Sequence, residues 1–273
     1  MDELRINCEV VRTIVIGFVR NEIGKFGFEK AIVAMSGGVD STLSAFIGVE
    51  ALGPEDVIGV FMPYRASAPE SKADAETAAA QLGIETVTVD ITPMVDAYFE
   101  RFPDADRLRR ANRMARERMC IIYDLSAARH AMVLGTSNKT EALLGYTTLW
   151  GDMACAVNPI GDLYKTQVRQ LARHMGVPEK IIAKSPTADL WPGQTDEGEL
   201  GFTYEEVDRA LFRMVDERRP IEEIIAEGFD RAFVERVYDM VRGSQYKRRM
   251  PIVAKISARS IDRDFRYARD WGR

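Results

Sequence analysis

The chain has 273 residues, 46% hydrophobic and 29% charged, with a formal net charge of −5. That length accommodates one large α/β domain or two small ones around a sizeable core, and the acidic balance argues against a dedicated nucleic-acid binder, which carries a basic face. No apolar run approaches the ~18 residues of a membrane span, and the scattered Cys8, Cys120 and Cys155 lack the spacing of a disulfide framework or zinc site.

A reducing cytoplasm is therefore the expected compartment, with no membrane and no nucleic acid as partner. The acids Asp2, Glu3 and Glu9 stand where an export signal would be basic and then apolar. Residues 4 to 23 carry Leu4, Cys8, Val11, Val15 and Phe18 at helical spacing and predict an amphipathic helix with a charged outer face. Short apolar runs follow at Ala31–Met35, Val57–Met62, Glu85–Ile91 and Ala131–Gly135, each trailed by a helical pattern. Strands spaced in this way predict βαβ units and a parallel sheet covered on both faces.

A long charged helix is expected between Asp104 and His130, most simply as a solvated crossover. Tyr164–Met175 reads as a helix stopped by Gly176-Val177-Pro178, and a second helix runs to Lys184. The stretch SPTADLWPGQTDEGELG, residues 185–201, is polar and rich in proline, glycine and acids, and is expected as a long surface loop. Helical patterns resume at Tyr204–Glu217, Ile221–Glu227 and Asp230–Arg242, ahead of a basic tail. His130 and His174 are expected to be structural.

The chemistry begins at AIVAMSGGVDSTLSAF, where an apolar strand ends in Ser36-Gly37-Gly38 and turns into a helix. Such a turn leaves backbone N–H groups unpaired at the positive end of a helix dipole, where phosphate oxygens bind. Glycines permit close approach, and Ser36 and Ser41 add hydroxyls. The stretch is neither GxxxxGK[ST] nor GxGxxG, which disfavours a Walker-type triphosphatase and a dinucleotide-binding Rossmann site. A carboxylate beside phosphate oxygens, here Asp40, is an environment that Mg²⁺ selects; a capped turn with Asp40 complementing the dipole is the plainer alternative.

The form SGGVDS resembles the pyrophosphate loop of the ATP pyrophosphatases. Together with GTSNKTEALLGYTTLWGDMACAVNPIGDLYKTQV, SPTADL and YKRR, it makes most of the chain, as far as Arg249, similar to the ammonia-dependent NAD synthetases. The resemblance implies a single α/β domain over 1–273, a three-layer parallel sheet with helices on both faces, adenine-nucleotide α-hydrolase-like, with a helical C-terminal part at about 203–249. It implies ATP-dependent amidation of deamido-NAD by ammonia through an acyl adenylate, releasing AMP and pyrophosphate, with Mg²⁺ as cofactor and a homodimer as the assembly. A separate ammonia-supplying partner is compatible with it, because the chain has no room for an amidase domain.

Carried over by position, the resemblance assigns ATP binding to Ala34, Met35, Ser36, Gly37, Gly38, Val39, Asp40, Ser41, Thr136, Lys165 and Thr187. It assigns metal binding to Asp40 and Glu141, and deamido-NAD binding to Arg116 and Lys247. From the residues alone, Glu141 also completes a capping box with Asn138, and Lys165 reads as a surface lysine on an exposed helix face. Asp152 is expected to bind ammonium or accept its proton, since ammonium has no lone pair; closing a glycine turn is its other reading. The family's TKYGD lysine is Leu149 here, its aspartate before NPI is Ala156, and the histidine of its His-Lys pair is Tyr246. A different ATP pyrophosphatase, thiolating or amidating another substrate, and a non-catalytic nucleotide sensor are the competing readings.

Overall fold

The computed structural model describes residues 2–187, 189, 191, 194–249 and 251–258. In chain order it contains α1 (Cys8–Gly24), β1 (Lys30–Ala34), α2 (Val39–Leu52), β2 (Val57–Phe61), α3 (Pro69–Leu82), β3 (Glu85–Thr88), α4 (Thr92–Phe99) and α5 (Arg107–Arg129). It continues with β4 (Ala131–Leu134), α6 (Lys139–Leu144), α7 (Lys165–His174), α8 (Glu179–Ala183), α9 (Asp196–Leu200), α10 (Tyr204–Leu211), α11 (Ile221–Ala226) and α12 (Arg231–Gly243).

The four strands pair in parallel in the order β3-β2-β1-β4, with Ala31 opposite Val57 and Met132, and Ile58 opposite Glu85. A bridge from Leu134 to Val157 extends the β4 edge. Successive side chains of a strand point to opposite faces, and the core divides accordingly. Ala31, Val33, Val57 and Phe61 pack with α1, α2, α3 and α7 on one face, while Ile32, Ile58, Val60 and Val133 pack with α4 and α5 on the other. Burial on both faces explains why β2 reads VIGVF without alternation. A third cluster, including Leu144, Tyr204, Val207, Leu211 and Val237, joins α6 to α10 and α12.

Local chemistry sets the boundaries. The first helix starts at Cys8, not residue 4, because the Asn7 side chain caps it by accepting from Val10 N; Asp2–Leu4 forms a separate 3₁₀ turn. Its inward stripe is Val15, Val19 and Ile23, so Phe18 points outward at 39% exposure, contrary to the sequence expectation. The third strand stops at Thr88, since Ile91 turns inward to start α4. Asp106 caps α5, and His130 ends it in a left-handed conformation with its ring stacked 4.5 Å from that of Phe28. His174 Nε2 lies 3.0 Å from Glu9.

Segment 185–201 is not wholly a surface loop. Thr195 caps α9 through Gly198 N, and Asp196 and Leu200 are buried. Local polarity misleads here because tertiary contacts to Tyr204 and the sheet's C-terminal end, invisible in composition, draw the segment inward. Ala188, Leu190, Pro192 and Gly193 lie outside the described residues.

Candidate active site

In an open parallel sheet, ligands collect beyond the carboxyl ends of the strands. There the chain opens a cavity of about 710 Å³, a volume typical of a small-molecule site. Every residue given an ATP, metal, deamido-NAD or ammonium role from the sequence lines it except Gly37. Gly37 sits at φ +80°, and a Cβ there would lie 2.0 Å from the Ser71 carbonyl oxygen. Its task is to let the loop pass against α3. Gly37→Ala is expected to cost about 2 kcal/mol or more, from the left-handed backbone and the clash together, read as a lower melting temperature and weaker nucleotide binding.

The glycine loop is braced from within. Ser36 N donates to Ser41 Oγ at 3.2 Å, the two hydroxyls lie 3.1 Å apart, and Gly38 N donates to Ser36 Oγ at 3.3 Å. Gly38 caps α2 without a side-chain partner for the first turn. The N–H groups of Val39, Asp40 and Ser41 are thus left without a side-chain cap at the positive end of a 14-residue helix whose first residues line the cavity.

Three helices then deliver three charges to one point. Asp40 comes from the first turn of α2, Glu141 from the third position of α6, and Lys165 from the first position of α7. The Lys165 ammonium pairs with Asp40 Oδ2 and lies 3.4 Å from Glu141 Oε1, with its side chain only 3% exposed. The surface reading of Lys165 fails because α7 starts beneath α10, whose Tyr204 ring sits 5.2 Å from the ammonium. Asn138 donates to Asp40 Oδ1 at 2.9 Å. Glu141 completes the expected capping box, its Oε2 accepting from Asn138 N, while its Oε1 faces the lysine. Burial, with Asp40 and Asp196 nearby, pushes the Glu141 carboxyl well above the usual range, against the pull of Lys165. Burial alone would lower Lys165, but the Asp40 and Glu141 carboxylates more than reverse it, so the ammonium stays charged.

Asp152 closes its turn by accepting from Thr148 N at 2.7 Å, and faces the cavity from there. The surrounding walls displace enough water to push its carboxyl upward. Thr187 Oγ1 accepts from Asp189 N at 3.0 Å, and Asp189 in turn accepts from Ala68 N, tying this segment to the start of α3. Arg116 is exposed at the cavity wall and donates through Nε to the Leu149 carbonyl at 3.3 Å. The Lys247 ammonium donates to the carbonyls of Gly145 and Thr147, at 2.8 and 2.7 Å, bracing the turn that holds Leu149 and Asp152.

Three polar residues escaped the sequence reading. Asp196 is buried, with Oδ2 accepting from the Tyr204 hydroxyl at 3.1 Å and Oδ1 without a partner among the described residues. Arg118 lines the cavity from α5; its signal was its position four residues from both Met114 and Ile122, the buried stripe of that helix. Asp208 is fully buried four residues after buried Tyr204 and accepts from Thr140 Oγ1 and, at 2.8 Å, from Thr166 N. Thr140 Oγ1 also accepts from Lys165 N at 2.9 Å, so Asp208 staples the helix starts that carry Glu141 and Lys165.

Asp208→Ala is expected to cost about 2–4 kcal/mol, because two buried partners lose their acceptor. Burial pushes the Asp208 carboxyl up to about 6. A raised acid holds its proton more tightly when folded, so this group makes stability fall as pH rises from about 4 through 6. Asp208→Asn is expected to flatten that part of a stability-versus-pH curve measured by urea unfolding.

Among the described residues no three His, Cys, Asp or Glu side chains form a metal cage. Mg²⁺ does not require one, since it binds through one or two carboxylates plus substrate phosphates. Two converging carboxylates beside an amide-lined anion cradle, with the unpartnered Asp196 oxygen nearby, fit that donor set.

Residues 11–251 match the family described as NAD synthase. The chain is 57% identical over all 273 residues, the full length of both proteins, to the NH(3)-dependent NAD(+) synthetase of Trichlorobacter lovleyi. It is 53% identical to that of Chlorobaculum parvum, covering 98% of this chain and 97% of the relative. Among solved structures it superposes on the NMN synthetase of Francisella tularensis with a TM-score of 0.82 and 27% identity, over 92% of this chain and 100% of the other. The NH3-dependent NAD synthetase of Campylobacter jejuni, in complex with the nitrate ion, gives a TM-score of 0.78 and 28% identity at the same coverage. With a match that spans its glycine loop, all three converging charges and both core faces, the chain belongs to the NAD synthase family.

Proposed function

We propose that the chain is a ligase that makes NAD from deamido-NAD, ATP and ammonia. The nicotinate carboxylate attacks the α-phosphorus of ATP, pyrophosphate departs, and ammonia then displaces AMP from the acyl adenylate. The observation that carries this reading is the meeting of Asp40, Glu141 and Lys165 beside the glycine loop. Family likeness at full length supports the substrates.

Each step has a residue suited to it. The free amides of the α2 start and the Ser36 and Ser41 hydroxyls receive the oxygens of the departing pyrophosphate. Lys165, held charged by its acid neighbours, offsets the phosphate charge that grows as the α–β bond breaks. Asp40 and Glu141 would hold Mg²⁺, which would supply further neutralisation of phosphate charge. Asp152, its proton affinity raised, takes a proton from ammonium so that the nitrogen lone pair is free to attack the acyl carbon. Thr136 and Thr187 flank the nucleotide, and Arg116 and Lys247 stand on the deamido-NAD side, with Lys247 acting through the turn it braces.

The reading extends to a single functional unit over the chain, in the cytoplasm, as a homodimer. Val10, Ile14 and Phe18, exposed on one side of α1, support a further protein contact. No helix among the described residues is long and apolar enough to cross a membrane. Nitrogen arrives as ammonia.

Purified protein with ATP, Mg²⁺, deamido-NAD and ammonium is expected to form NAD, AMP and pyrophosphate in equal amounts. Omitting deamido-NAD or Mg²⁺ abolishes pyrophosphate release, and omitting ammonium limits it to about one turnover per site. Release from ATP alone, or indifference to the acid dinucleotide, rejects the reading in favour of another ATP pyrophosphatase or a nucleotide sensor.

A further inference from the structure

The arginines of α5 are not equivalent. Arg113 pairs with Glu117, Arg129 with Glu85, Arg110 donates to backbone carbonyls, and Arg107 lies over the Trp191 ring. Arg118 differs from all of these. It stands on the inward stripe between Met114 and Ile122, half-buried, and its Nε donates to the Met62 carbonyl at 3.0 Å, just beyond β2. That bond fixes the plane of the guanidinium. Its two terminal nitrogens have no partner among the described residues, and the side chain lines the cavity.

Asp152 and Asp189 are near enough for their charges to be felt, but neither bonds to it. A guanidinium withdrawn from bulk water, oriented by one bond and left with two free donors, is built to receive an anion. Its location restricts which one. The α2 start approaches the strand ends from one face of the sheet, whereas α5 covers the other face. Arg118 therefore lies across the cavity from the pyrophosphate cradle.

We propose that Arg118 is the cavity's second anion receptor, binding a carboxylate or phosphate oxygen of the reacting groups away from the glycine loop. The inference rests on the NAD synthetase reading for the identity of those groups. It also supplies a cationic contact in a cavity where Leu149 stands at the position of the family's TKYGD lysine.

The test uses Arg118→Gln and Arg118→Lys in the full chain, with calorimetric binding of three probes: α,β-methylene-ATP, deamido-NAD and NAD. Losing a charge-assisted bond is expected to weaken at least one probe about tenfold or more in Arg118→Gln, and Arg118→Lys is expected to recover part of it. A phosphate of ATP is the source if α,β-methylene-ATP alone weakens. The nicotinate carboxylate is the source if deamido-NAD weakens while NAD, which lacks that carboxylate, does not. A phosphate of the dinucleotide is the source if both weaken. Should Arg118→Gln fail to fold, Arg118→Lys carries the test, since it keeps the charge but loses the planar fork. Wild-type binding of all three probes by the folded variants overturns the proposal for Arg118 alone. Failure of the wild-type chain to turn over deamido-NAD overturns instead the reading on which it rests.

Discussion

Replacing Lys165 with methionine is expected to lower turnover on the order of 100- to 1,000-fold and, separately, to destabilise the unliganded chain by about 3 kcal/mol. The two effects have different origins. Turnover falls because the ammonium is seated between the Asp40 and Glu141 carboxylates, where phosphate charge develops during adenylation. Stability falls because the side chain is 3% exposed and its removal leaves those acids buried without their counter-charge. Mg²⁺ is expected to restore part of the melting temperature and little of the turnover. A variant that melts and turns over like the wild type would show that the Lys165 charge serves neither the fold nor the chemistry.

Asp40→Asn probes the same cluster from the acid side. The shapes are nearly equal, but with the amide oxygen kept on Asn138 the NH2 group meets the Lys165 ammonium, so a loss of about 2 kcal/mol or more is expected alongside the kinetic effect. The lost charge is expected to reduce adenylation about 100-fold or more, with a higher requirement for Mg²⁺. Steady-state kinetics at several Mg²⁺ concentrations, set beside a melting curve, check this. Loss of stability in both variants, with no change in adenylation or in the metal requirement, would reduce the cluster to a structural ion pair.

Much of this architecture was legible before any coordinates. Parallel strands buried on both faces read as continuous apolar runs, and the signals for β1, β2 and β4 fall within a residue or two of the observed ends. The glycine loop was legible because only a few residue types satisfy a strand-to-helix turn that exposes amides. The depth of Lys165 was not, because the residue that covers it, Tyr204, lies in a helix 39 positions later. Nothing local separates a buried lysine from an exposed one at the start of a helix.

Arg118 and Asp208 were hidden for a related reason. Each lies on the inward stripe of its helix, but in the run RLRRANRMARERM that stripe can be phased only after α5 is docked against β1 and β4. Asp196 was hidden by its neighbours, since a segment rich in acids and prolines gives no local sign that one carboxylate is turned inward.

The most direct measurement follows oxygen atoms. Deamido-NAD labelled with ¹⁸O in its nicotinate carboxylate is incubated with ATP, Mg²⁺ and ammonium, and the products are weighed by mass spectrometry. If the cradle, the two acids and Lys165 direct the carboxylate to the α-phosphorus, one ¹⁸O is found in AMP and none in pyrophosphate. Label in pyrophosphate, or unlabelled AMP formed alongside NAD, contradicts the account.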